Sequence, residues 1–189
     1  MIIGLSGYAR TGKDTVANIL VEQHGFTKLA FADPMREALL RLNPFIEVND
    51  IQHMPLDQAL RVYSWEDLKS ESPDIRGLMQ RIGTEVGRQM FGENVWVDLA
   101  MKEAAKYENV VFSDVRFLNE ADALRNAGGS IWRIERPGIE AANDHISETG
   151  LDDYSFNAVL SNDRGTEELV DTVASGIEFE HLLDSLKRG

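Results

Sequence analysis

The first six residues, Met1 to Ser6, are an apolar run without polar alternation, the pattern of a short strand covered on both faces. From Thr15 to Gln23 the period changes. Val16, Ile19 and Leu20 fall on one side of a helix, and Gly25 suits its end. Residues 27–32 (Thr-Lys-Leu-Ala-Phe-Ala) predict a second strand. Asp33 then serves as N-cap and Pro34 as first-turn residue of a helix that fades near Asn43-Pro44. Residues 44–74 mix Pro, Asp and Ser with Tyr63 and Trp65, and predict a partly helical, mobile insertion. Helical spacing returns over Ile75–Phe91 and Val95–Tyr107. The apolar run within 109–114, ending at Asp114, predicts a central parallel strand. An amphipathic helix over Phe117–Ala127 stops at Gly128-Gly129. Strands at 130–135 and 156–162 flank a polar loop at 136–155, and a helix from Thr166 to Leu186 closes the chain.

Strands alternating with helices predict an α/β protein, with a five-stranded parallel sheet covered by helices on both faces. At 189 residues the expectation is a single domain, 1–189, with an insertion at about 44–74 and a lid-like loop at about 136–152. No internal repeat or low-complexity tract interrupts it. The chain has no cysteine, which removes disulfides and thiolate metal sites and fits a reducing compartment. With no membrane-length apolar run and no basic leader, the expected location is cytoplasmic.

A formal charge of -13 changes the picture more. The long-range field opposes nonspecific binding to nucleic acid or an anionic membrane. A phosphate site must then be a local positive pocket. Of the 19 basic residues most are Arg, the side chain suited to two-pronged contact with phosphate and carboxylate.

The candidate pocket is Gly7 to Thr15, Gly-Tyr-Ala-Arg-Thr-Gly-Lys-Asp-Thr. It follows a predicted strand and opens a predicted helix, the context in which two glycines and a lysine at this spacing grip phosphate. Gly7 and Gly12 allow the N–H groups to turn inward, the helix N-terminus adds partial positive charge, and Lys13 reaches the β- and γ-phosphates. Gly7, Arg10, Gly12, Lys13, Asp14 and Thr15 are therefore candidate ATP-binding residues. Asp14 stands where a hydroxyl would meet magnesium. A carboxylate there is a hard-oxygen ligand, or simply a favourable acid in a first helical turn. Asp114, at the end of an apolar strand, has the form of a magnesium-holding Walker B acid. Arg116 and Glu120 lie close beyond it, and strand ends are where open parallel sheets bind ligands.

Four stretches, GYARTGKDT, RGLMQRIGTEVG (76–87), VVFSDVRFLNEADAL (110–124) and HISETGL with LSNDRGTEEL (145–169), resemble the deoxynucleoside monophosphate kinases of bacteriophages. The likeness runs in order along most of the chain apart from 44–74, and includes the Asp after the loop lysine. It implies the three-layer P-loop kinase fold and transfer of the γ-phosphate of ATP to a deoxynucleoside monophosphate with Mg²⁺. It implies that Arg36, Arg76, Gln80, Arg116 and Glu120 serve the acceptor, and that Asn162 and Gly165 serve the donor adenine. Lys13, Arg116 and Arg136 would be the catalytic residues, and Asp14 and Asp114 the metal ligands. His145 reads as a loop or capping histidine, and Trp96 and Trp132 as packing residues. Monomer or dimer stays open on the residues; the resemblance points to a homodimer.

The implied chemistry needs no strong general base, because the attacking group is already a phosphate anion. Alignment and charge cancellation would do the work. Two other readings remain at this stage. A small-molecule kinase of the phosphomevalonate kinase type shares the Gly-Lys-Asp loop, and a regulatory protein could bind a nucleotide without an acceptor.

Overall fold

A computed structural model of the chain describes residues 1–49, 52–141 and 149–188. In chain order the strands are β1 (Ile2–Ser6), β2 (Thr27–Leu29), β3 (Phe45–Asn49), β4 (Gln52–Pro55), β5 (Val110–Phe112), β6 (Ser130–Glu135) and β7 (Ala158–Ser161). The helices are α1 (Lys13–His24), α2 (Asp33–Leu42), α3 (Leu56–Ala59), α4 (Trp65–Glu71), α5 (Pro73–Gln80), α6 (Gln89–Phe91), α7 (Val95–Ala104), α8 (Leu118–Asn126) and α9 (Thr166–Arg188). Between α5 and α6 the helix widens to π geometry over Arg81–Arg88. The chain packs as two compact bodies, Met1–Phe31 with Met101–Gly189, and Ala32–Ala100.

The first body holds the expected five-stranded sheet, ordered β2-β5-β1-β6-β7 and parallel throughout. The β1-to-β2 crossover carries α1 past β5, and the β5-to-β6 crossover carries α8 the other way past β1. Right-handed crossovers in opposite directions place these helices on opposite faces. The side chains agree. Ile3 and Leu5 of β1 are fully buried with Val16 and Leu20 of α1 and Val173 of α9. Gly4 turns the other way, where a Cβ would stand 2.5 Å from Leu124 of α8. The exits of β1 and β5 therefore form the switch point at which such sheets bind ligands.

Trp132 of β6 is fully buried in this core. Its indole N–H donates to Glu180 Oε1 at 2.9 Å, and the Ser130 hydroxyl donates to Glu180 Oε2 at 2.7 Å. Glu180 repeats the inward spacing of Leu169, Val173 and Ile177 along α9, so a carboxylate occupies a core position and satisfies two buried donors.

The second body buries Leu39, Ile46, Val48, Leu56, Ala59, Leu68 and Ile75 together. Where the sequence suggests a partly helical stretch, β3 and β4 form an antiparallel pair, with Ile46 opposite Met54. Ser64 and Asp67 exchange hydrogen bonds in a capping box that starts α4. Asp33 is not the cap of α2. Ala32 holds that position, and Asp33, one place inside, pairs with Arg36 at 3.2 Å. β2 also ends at Leu29, three residues before the apolar run does, although Ala30 and Phe31 remain buried.

Among the described residues no helix is long and apolar enough to cross a membrane. Replacing Glu180 with Ala would leave the Trp132 and Ser130 donors without their acceptor. The expected loss is about 2–3 kcal/mol, read as a fall of roughly 5–10 °C in the melting midpoint.

Candidate active site

The loop between β1 and α1 is shaped by two close approaches. Gly7 has φ 138°, and a Cβ there would lie 2.3 Å from the carbonyl oxygen of Ile134 in β6. Gly12 has φ 107°, and a Cβ would meet Asn162 Nδ2 at 2.4 Å. Gly7 excludes a side chain on space, against backbone, as well as on conformation; at Gly12 the positive φ disfavours one, and the close atom is the tip of the Asn162 side chain. Arg10 takes φ 68° without being glycine, the kind of local strain that functional loops hold. The loop is tied internally by Thr11, whose hydroxyl donates to the Tyr8 carbonyl at 2.9 Å. Lys13 Nζ donates to the carbonyls of Gly7 and Tyr8, each at 2.7 Å, so the ammonium lies back across the loop.

Asp14 begins the exposed side of α1. Its side chain is 81% accessible and pairs with Lys28 of β2 at 2.7 Å. Asp114 lies just past β5, where its Oδ1 accepts from the Phe31 amide at 2.8 Å. Phe31 in turn stacks on Phe112, centroids 4.4 Å apart. The carboxylate thus joins the exits of β2 and β5. Glu120 is buried, and its Oε2 accepts from the amides of Arg116 and Phe117 at 2.8 and 3.1 Å. This is the capping arrangement that starts α8, and it fixes the backbone that carries Arg116.

A cavity of about 410 Å³ opens beside the loop, lined by Thr15, Arg136, Pro137, Asn162, Asp163, Gly165, Thr166 and Leu169. Four candidates far apart in sequence, Thr15, Arg136, Asn162 and Gly165, therefore meet on one wall system. Asn162 also reaches the loop directly: its Nδ2 donates to the Thr11 carbonyl at 2.8 Å, while its backbone N–H donates to the Glu135 carbonyl at 2.7 Å. Its side chain is thus engaged in holding the loop.

The remaining candidates belong to the second body. Arg36 is held by Asp33 and by Glu66 at 3.7 Å, with its guanidinium 5.9 Å from the Trp65 ring centroid. Its Nε is buried without a hydrogen-bond partner. Arg76 and Gln80 are exposed on α5, and Arg76 Nε donates to the Lys69 carbonyl at 2.6 Å. Trp96 donates to the Gly83 carbonyl at 2.8 Å within the π-widened stretch. Among the described residues no three acids or histidines cluster as a self-sufficient metal site. His145 lies outside the described residues, as do positions 142–148 of the predicted lid-like loop.

The family model of deoxynucleotide monophosphate kinase matches residues 47–173. The chain belongs to the deoxynucleotide monophosphate kinase family. Among its relatives, a protein of Acanthamoeba polyphaga mimivirus assigned as a deoxynucleotide monophosphate kinase is 32% identical over 94% of this chain and 96% of its own. The deoxynucleotide monophosphate kinase of Enterobacteria phage T4 is 23% identical over 94% of this chain and 98% of its own. The deoxynucleoside-5'-monophosphate kinase of Escherichia phage T5 is 27% identical over 80% of this chain and 85% of its own.

In this member of the deoxynucleotide monophosphate kinase family, one cluster escapes the sequence reading. The Tyr8 hydroxyl donates to Asp152 Oδ1 at 2.9 Å, and Asp152 pairs with Arg133 at 3.0 Å. The Arg133 guanidinium lies 4.7 Å from the Tyr8 ring centroid and 5.3 Å from that of Phe156. Burial raises the Tyr8 pKa above that of an ordinary phenol, and donation to the Asp152 carboxylate raises it further, against Arg133. The hydroxyl therefore keeps its proton through the neutral range. The signal available in the sequence was an Arg at an otherwise apolar strand position, Ser-Ile-Trp-Arg-Ile-Glu.

Substituting Ala at Gly7 places a methyl group against backbone that cannot yield. Nucleotide affinity, measured by calorimetry, should fall on the order of a hundredfold, corresponding to about 3 kcal/mol. The second body should keep its fold.

Proposed function

We propose that the protein transfers the γ-phosphate of ATP to a deoxynucleoside 5'-monophosphate, giving the diphosphate and ADP. The observation that carries this is the family match over 47–173, joined to a phosphate loop at 7–15 that lies outside the matched stretch. Two independent parts of the chain thus point to one chemistry.

The donor phosphates settle on the N–H groups of the Gly7–Thr15 loop, at the positive end of α1. Lys13, held by the Gly7 and Tyr8 carbonyls, presents its ammonium across the loop to the phosphate oxygens. The cavity beside Thr15, Asn162, Gly165 and Arg136 takes the adenosine end, and its volume suits a group of that size. Arg10 adds charge at the loop's rim.

Asp114 and Asp14 suit Mg²⁺ by donor type, since both offer hard carboxylate oxygen. With no three-acid cluster among the described residues, they fit an ion that takes most of its shell from phosphate and water. Bound Mg²⁺ would supply charge neutralisation at the phosphates. For Asp14 this means giving up its exposed pair with Lys28, an interaction of small worth.

Arg116 and Arg136 stabilise the charge on the transferring group. Arg36, Arg76 and Gln80 bind the acceptor, and Glu120 contributes by fixing the Arg116 backbone. The acceptor phosphate is itself the nucleophile, so placement replaces base catalysis. The net charge of -13 argues against a nucleic-acid partner. The viral and phage relatives support action in a host cytoplasm, and the family resemblance supports a homodimer, which light scattering would decide.

A coupled assay with ATP, Mg²⁺ and each deoxynucleoside monophosphate tests the reading. Acceptor-dependent ADP formation is expected with at least one base, and Lys13→Met should lower kcat by about 100-fold or more. Background turnover with every acceptor would overturn it.

A further inference from the structure

Lys13 is anchored on a residue whose own side chain is gripped from outside the loop. The Tyr8 carbonyl accepts from both Lys13 Nζ and the Thr11 hydroxyl. The Tyr8 side chain leaves the loop in the other direction, its hydroxyl on Asp152 and its ring against Arg133. We propose that Arg133 and Asp152 are positioning residues for the phosphate-gripping lysine, acting through the side chain of Tyr8.

The clamp is built to stay in place. Arg133 rises from β6, where its side chain is only 10% accessible, and pairs with Asp152 at 3.0 Å and Glu135 at 3.4 Å. Asp152 stands at the start of a short stretch that is pinned at several points. Arg125 of α8 donates to the Ser155 carbonyl at 2.6 Å and lies 4.6 Å from the Tyr154 ring centroid. Tyr154 meets Phe156 edge to face at 5.5 Å. Asn157 exchanges two hydrogen bonds with Ile131, at 2.9 and 2.8 Å. Both jaws are thus fastened to the sheet, β6 on one side and α8 with β6 on the other.

A purely structural role explains this poorly. Arg133 gives up most of its water while the Asp152 side chain stays 35% accessible, so desolvation on one side and screening on the other offset much of their attraction, and an apolar pair would stabilise the strand end about as well. What an apolar pair cannot do is hold a phenol hydroxyl at a fixed point while a planar cation fixes its ring. Two constraints on one side chain leave the Tyr8 peptide little freedom. The ammonium that binds to its carbonyl inherits that placement.

The inference rests on the ATP site proposed above, and its test separates the two. The full-length protein is compared with Tyr8→Phe, which loses only the hydroxyl, with Asp152→Asn, which keeps the shape, and with the double variant. ATP affinity is measured by calorimetry, and KM for ATP, KM for the acceptor and kcat by the coupled assay. Each single variant should weaken ATP binding and raise its KM by about tenfold, the worth of a hydrogen bond to a charged group. The acceptor KM should stay within about twofold, and the melting midpoint within about 2 °C. The double variant should be no worse than the poorer single, because both act through one bond. Arg133→Lys, which keeps the charge and loses the planar fork, should shift ATP in the same direction.

Unchanged ATP affinity in both single variants would overturn the inference, as would a loss that follows the melting midpoint or multiplies in the double variant. Should the native protein bind ATP without acceptor turnover, the function reading fails while the affinity comparison still decides the clamp.

Discussion

The absence of a side chain at residue 7 governs the site. With the Ile134 carbonyl 2.3 Å from where a Cβ would stand, the loop after β1 can lie against β6 only as glycine. That contact sets the loop's height over the sheet. From it follow the second close approach at Gly12, the reach of Asn162 from the end of β7 to the Thr11 carbonyl, and the start of α1. Three strands that are distant in sequence, β1, β6 and β7, thus hold one turn. The sheet order makes this possible, because β1 sits in the middle with β6 beside it and β7 next.

Electrostatics work against the field of the whole molecule. A chain with a formal charge of -13 repels polyphosphate at long range. The local answer is a set of cations placed by backbone contacts: Lys13 on two carbonyls, Arg116 on a backbone fixed by Glu120. Charge supplied by short, directed groups in a partly desolvated turn outweighs a diffuse opposing field that salt screens within about 10 Å. The same logic lets acids such as Asp114 stay at the site, where its oxygen is engaged by the Phe31 amide.

The sheet was legible because buried parallel strands are built on apolar runs, as Met1–Ser6 and 109–114 are. The phosphate loop was legible because its glycines and lysine are close in sequence and answer to one local geometry. The hairpin of β3 and β4 was not. Only Ile46 and Val48 alternate inward there, too short a period-two stretch to stand out among Pro, Asp and Asn. The helix start at Asp33 was misplaced by one residue, since an acid next to Pro suits both the cap and the first turn, and the ion pair with Arg36 favoured the latter. Tyr8, Arg133 and Asp152 could not be joined beforehand. The bond between the first and last spans 144 positions, and no local spacing encodes it. Glu180 was hidden for a related reason: its apolar periodicity on α9 predicts a hydrophobe, and only the indole and hydroxyl opposite explain a carboxylate.

The burial of Trp132 has an optical consequence. Of the chain's three indoles, it alone lies in the first body, sealed from water, while Trp65 and Trp96 lie half-buried in the second. A shielded indole emits at shorter wavelength than one reached by solvent. Each body therefore carries its own native fluorophore, and denaturation of one can be told from denaturation of the other by colour, without any dye.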